Sequence, residues 1–184
     1  MMKKFIAILL CLFLLLVCGA LAETEKTSLG VVNVNGAFEL KCALPEGYSV
    51  EVLFNETHYC LASVNPEDET KPTLMVSVAY NELYSDVERI NDLDEETLGR
   101  VEASFREEDD VEITYMETAY GTRLMVVKEV SDGVDYLDFY TIYKGYEVEL
   151  VLIHLNEGEA LPITDAEIQM AVQFLSELDF VPAQ

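Results

Sequence analysis

From Phe38 onward, apolar and polar residues alternate with a period of two over four successive stretches. Phe38, Leu40, Cys42 and Leu44 alternate with Glu39, Lys41 and Ala43, and Pro45-Glu46-Gly47 supplies a turn. Tyr48, Val50, Val52 and Phe54 repeat the pattern, and Tyr59 to Val64 forms a third short strand. A polar loop opens at Asn65-Pro66-Glu67-Asp68, after which Leu74, Val76, Val78 and Tyr80 make a fourth strand. A strand with one apolar edge must bury that edge against another layer, so these stretches predict a half-buried sheet.

The period then changes. Between Asp92 and Arg106, Leu98, Val101 and Phe105 recur at helical spacing, with Asp92 or Asp94 as the capping residue. Four further strands are expected over residues 111–120, 122–130, 134–143 and 146–155, with Asp132-Gly133 and Lys144-Gly145 at two of the turns. Short turns between consecutive strands mean antiparallel pairing in a meander. The last element carries the clearest local signals. Thr164 and Glu167 form a capping box, Ile163 and Ile168 a hydrophobic staple, and Ile168, Ala171, Val172 and Leu175 one apolar stripe. This helix is expected to end near Leu178, before Pro182. The pattern predicts an α+β domain over residues 36–184: a twisted, mainly antiparallel sheet of about seven or eight strands packed with two principal helices. Residues 23–35 read as a partly flexible leader.

The order of these elements, the Leu44-Pro45-Glu46-Gly47-Tyr48 turn, the late meander and the final amphipathic helix running into Leu178-Asp179-Phe180 resemble the PsbP-like fold superfamily. That group includes an extrinsic photosystem II subunit, a nuclear-transport factor that binds the GTPase Ran, and bacterial exported proteins. The resemblance covers about residues 36–181 and implies a non-enzymatic binding or accessory module. It transfers no functional residue, because no site motif is matched.

Ahead of this domain, Lys3 and Lys4 precede an unbroken apolar run from Phe5 to Val17, and Ala20-Leu21-Ala22 follows. A charged start, a short apolar middle and small residues at the cut predict a secretory signal peptide over residues 1–22, cleaved after Ala22. A lipid-anchored cysteine at Cys18 is the weaker reading, since bulky Val17 precedes it. The Met-Lys-Lys start reads as bacterial, and the expected location is secreted or extracytoplasmic. Cleavage removes Cys11 and Cys18 and takes the formal net charge from −24 to −26, because Lys3 and Lys4 leave with the signal. A surface that acidic repels phosphate backbones and anionic lipid, which excludes nucleic acid as a partner. It favours cationic partners, and no membrane span remains after cleavage.

Candidate chemistry is sparse. Neither the glycine-rich nucleotide loops nor GxSxG nor HExxH occurs. Cys42 and Cys60 remain after cleavage. An oxidising compartment permits a disulfide between them worth roughly 3 kcal/mol, and two buried thiols are the other reading. His58 and His154 are the two histidines. An enzyme built on them would need a concave pocket holding His154 with an acid in hydrogen-bonding reach. Carboxylates cluster at Glu107, Glu108, Asp109 and Asp110, and again at Asp92, Asp94, Glu95 and Glu96. They suggest a calcium or other cation site, although EF-hand spacing is absent and a solvated acidic loop explains them equally well. Finally, Tyr136, Tyr140 and Tyr146 share sequence parity on the last two strands and are expected to offer one aromatic face to a protein or cell-envelope partner.

Overall fold

The computed structural model describes residues 28–106, 111–131, 134–156, 159–176 and 179–182. Alternation produces strands throughout, in the order β1 (Ser28–Val34), β2 (Phe38–Leu44), β3 (Tyr48–Glu56), β4 (Tyr59–Pro66) and β5 (Thr73–Tyr80). Two single 3-10 turns lead into α1 (Glu95–Phe105), followed by β6 (Glu112–Glu117), β7 (Arg123–Ser131), β8 (Val134–Tyr143) and β9 (Tyr146–Ile153). A small hairpin of β10 (Leu155–Asn156) and β11 (Glu159–Ala160) precedes α2 (Asp165–Ser176) and β12 (Asp179–Pro182). The class is α+β with antiparallel pairing, as the pattern predicts.

The strands divide between sheets. Seven of them run β3-β4-β5-β9-β8-β7-β6, and three more form a separate sheet in the order β1-β2-β12. The meander places β6 to β9 at one end, and β5 joins it by pairing with β9, from Thr73 opposite Ile153 to Tyr80 opposite Tyr146.

One face of the large sheet makes the main core. Leu74, Val76 and Val78 of β5, Val148, Leu150 and Leu152 of β9, and Leu137 and Phe139 of β8 pack against the small sheet and α2. The small sheet contributes Val34, Phe38 and Leu40, and α2 contributes Ala171, Phe174 and Leu175. Burying a side chain of this size contributes about 1.5–3 kcal/mol. The opposite face is covered over part of its width by α1, whose Val101 joins Met125, Val127, Tyr140 and Ile142 in a second, smaller core.

The two ends of the domain differ from the sequence expectation. β1 occupies most of the segment expected as a leader, with Val32 and Val34 fully buried. Its apolar positions acquire a role only when β2 supplies the ladder, Val34 facing Phe38 and Val32 facing Leu40. At the other end, Asp179–Pro182 forms β12 on the free side of β2, and Phe180 is buried there. Pro182 is tolerated because it closes an edge strand and owes no hydrogen bond beyond it.

The helix caps follow the sequence signals. Asp94, not Asp92, caps α1 and accepts the Thr97 amide at 2.7 Å, while Asp92 accepts from the Arg89 backbone. The capping box of α2 is complete. Thr164 N donates to Glu167 Oε2 at 2.7 Å, and Glu167 N donates to Thr164 Oγ1 at 3.4 Å. Among the described residues no helix is long and apolar enough to cross a membrane.

Candidate functional site

The β8–β9 hairpin turns on Lys144 (φ 48) and Gly145 (φ 80), two consecutive left-handed residues that suit the right-handed twist of the strands. A Cβ on Gly145 would lie 3.0 Å from Tyr80 Cε2 and 3.2 Å from Ser85 Cα, so the position requires glycine for space as well as for φ. This two-residue turn pairs Tyr143 with Tyr146 and Tyr140 with Glu149. Even-numbered residues of β8 therefore share a face with odd-numbered residues of β9. The expected single face of Tyr136, Tyr140 and Tyr146 does not form, because sequence parity reverses across the turn. Tyr146 instead lies on the main-core side, with its ring 5.3 Å from Phe38 and 5.3 Å from Tyr80. Tyr140 is buried under α1 and donates to Glu147 Oε1 at 2.7 Å, and burial with that carboxylate contact pushes its phenol upward.

Tyr136 lies on the same side as Tyr140, beside a cleft of about 270 Å³ lined in part by Phe105, Val127, Asp138, Glu149 and Val151. Here the register brings two carboxyls together that sequence reading had not singled out. Burial raises the Asp138 carboxyl most, and its hydrogen bond to Glu149 adds to this, giving a value of about 9. Asp138 thus keeps its proton and donates to Glu149, which also accepts from Ser77 Oγ at 3.1 Å. The other Asp138 oxygen, Oδ1, is buried without a partner. Two carboxylates on adjacent strands of a half-covered face cannot both ionise cheaply, and one shared proton resolves the conflict.

His154 does meet an acid, yet as a clamp. Nδ1 lies 2.8 Å from Glu167 Oε1, and Nε2 donates to the Thr70 carbonyl at 3.0 Å. Both side chains are largely covered, 10% and 14% exposed, and Nδ1 lies close to the carboxylate without an aligned hydrogen bond. One Glu167 oxygen completes the capping box and the other holds His154, so this residue joins α2, the end of β9 and the 67–72 loop. Glu167→Ala is expected to cost roughly 1–2 kcal/mol through the lost cap and the lost contact with His154. Urea denaturation measures it, and a loss below about 0.5 kcal/mol would show that the clamp is idle.

Cys42 on β2 and Cys60 on β4 are buried thiols on the main-core side. Burial pushes Cys42 up to about 12 and moves Cys60 in the same direction, which removes thiolate nucleophile character at neutral pH. The Glu107, Glu108, Asp109 and Asp110 cluster lies outside the described residues, as do the expected signal segment, Cys18 and the expected cut after Ala22. Among the described residues no group of three or more acidic, His or Cys side chains is arranged to hold a metal ion.

Among the described residues the fold leaves one edge of the large sheet uncovered. β3 is the terminal strand of the large sheet and pairs on one side with β4. A bulge between Val52 and Phe54 interrupts the register and turns a run of apolar side chains outward. Val52 is 44% exposed, Leu53 45%, Phe54 54%, and neighbouring Tyr59 on β4 39%. Glu51 and Glu56 flank this run on the same strand, both exposed. The sequence signal for this feature was only the break in alternation at Leu53, between Val52 and Phe54.

No known protein family model matches the chain, and no curated protein matches its sequence.

Proposed function

We propose that this protein is an exported, non-catalytic binding domain that contacts a partner protein along the β3 edge. The observation that carries this reading is the exposed apolar run Val52-Leu53-Phe54 on a nine-residue edge strand. An open edge of that length is a template for another strand, and its bulge and its glutamates narrow the choice to a partner that fits both. Strand addition would use the unpaired backbone groups for affinity and the apolar side chains for specificity. The partner this edge suits is an extended segment alternating apolar residues with Lys or Arg, because Glu51, Glu56 and a formal charge of −24 surround it. A second copy of the chain would bring like charges together and is disfavoured by the same acidity. The signal segment, the missing catalytic motifs and the PsbP-like resemblance support an accessory role of this kind.

The probe that tests the reading is a seven-residue peptide alternating Lys and Val, titrated by NMR into the protein. It is expected to saturate, with amide shifts concentrated on β3. Alternate backbone N-methylation of the peptide, or the double change Val52→Asp with Phe54→Asp, is expected to weaken binding at least tenfold. Equal binding by the N-methylated peptide would reduce the effect to general charge attraction and sink the proposal.

A further inference from the structure

Beyond the docking edge, three turns meet at one end of the large sheet. They are the Asn35–Ala37 turn between β1 and β2, the Thr57-His58 turn between β3 and β4, and the Lys144-Gly145 turn between β8 and β9. Asn55 ties the first two together. Its Oδ1 accepts the Asn35 amide at 3.1 Å, and its Nδ2 donates to the Asn33 carbonyl at 2.8 Å. This holds Asn35 in a left-handed conformation, φ 54, which asparagine tolerates better than most residues. Between the turns lies an open cleft of about 750 Å³.

The lining of that cleft has an unusual character. Asn35, Asn55, Glu56, Thr57, His58 and Tyr59 form most of it, and Tyr146 completes it. Each is polar or aromatic, and the set contains neither an aliphatic residue nor a lysine or arginine. Behind them the aromatic groups are held in place: Tyr80 lies 5.5 Å from His58 and 5.3 Å from Tyr146, ring centre to ring centre. Asn35 lines the cleft through its other atoms, since its Nδ2 is covered by protein.

These features select a ligand class by elimination. An anion finds no cation here and meets Glu56. A lipid chain finds no aliphatic wall. A metal cation would meet a single carboxylate, too few oxygen ligands for a site. A polyhydroxylated ring satisfies both kinds of surface at once: its C–H face lies on tyrosine or imidazole, while its hydroxyls exchange hydrogen bonds with the two amides, Thr57 and Glu56. We infer that the cleft between the three turns is a binding site for a neutral saccharide, one to three rings long. It shares Glu56 and Tyr59 with the β3 edge but does not rest on the docking role of that edge.

The test is a titration of the protein with cellotriose, maltotriose and chitotriose, and with trigalacturonate as the anionic control, followed by calorimetry and by NMR. At least one neutral trisaccharide is expected to bind saturably in the millimolar range or tighter, shifting amides of residues 35, 55–59 and 146, while trigalacturonate does not. Tyr59→Ala and His58→Ala, both on exposed positions, should each weaken binding at least fivefold with an unchanged melting temperature. Phe54→Ser, on the docking edge, should leave it unaltered. Absence of saturable binding by all three neutral sugars, or binding that both the Tyr59 and the His58 variants retain in full, overturns the inference.

Discussion

Phe38→Ala is expected to lower the unfolding free energy by about 3–5 kcal/mol. Phe38 is fully buried, and its ring meets three others edge-on: Tyr143 at 5.2 Å, Tyr146 at 5.3 Å and Phe180 at 5.9 Å. Those partners come from β8, β9 and β12, so this one side chain links the small sheet to the large one. Tyr143 and Phe180 also stack on each other at 4.3 Å, and that pair loses its support when the ring is removed. The cavity lies where two rigid sheets face each other and cannot collapse easily, which places the cost toward the upper end of the range for aromatic truncation. Because a domain of this size has on the order of 5–15 kcal/mol of total stability, the variant should be close to unfolding at 37 °C. Urea unfolding followed by circular dichroism gives the answer. A loss below about 1 kcal/mol would mean that the two sheets are not coupled through this ring.

The second large effect concerns pH. Asp138→Asn is expected to stabilise the protein at neutral pH and to flatten its pH dependence. In the folded state the Asp138 carboxyl holds its proton up to about 9, against an ordinary value of 3.8. Between those values the native state binds a proton that the unfolded chain has released. Stability from this group is therefore fully present at low pH and falls as pH rises through the window. The limiting slope is about 1.4 kcal/mol per pH unit, and sharing of the proton with Glu149 reduces it. Asparagine has nearly the same shape, can donate to Glu149 and does not titrate. The variant should match the parent near pH 4 and exceed it by on the order of 2 kcal/mol at pH 7. General repulsion among the many carboxylates also weakens the protein as pH rises, and the difference between parent and variant removes that background. Equal slopes for the two proteins between pH 5 and pH 8 would show that Asp138 ionises normally in the fold.

Both effects depend on contacts that join distant parts of the chain, and this separates what could be read from the residues from what could not. Caps, turns and strand periodicity were legible. Thr164 with Glu167 and the tight turn at Lys144-Gly145 each act within four residues, where backbone geometry and hydrogen bonding decide the outcome, whereas at α1 Asp94 took the cap that the spacing to Glu95 assigned to Asp92. The alternation from Phe38 to Leu44 was equally clear as a strand. Which sheet that strand would join was not, because a half-buried strand satisfies its apolar edge equally well against either partner. Sheet membership was decided by the total burial available when β1 and β12 paired on either side of β2.

The site followed the same division. The three tyrosines shared parity in sequence and lost their common face to a turn two residues long. Asp138 and Glu149 showed no signal, since each alone is an ordinary strand carboxylate, and only the β8–β9 register puts them in contact. His154 stood out as one of two histidines, and its partner Glu167 was read as a cap. That one carboxylate serves both roles depends on where α2 docks. The sequence by itself determined the local elements, the acidic surface and the α+β class, all set by short-range periodicity and composition. The tertiary structure alone decided the division into two sheets, the paired carboxyls, the open β3 edge and the cleft between the turns. Each of these depends on which distant strands meet, a choice made by the burial of the whole chain.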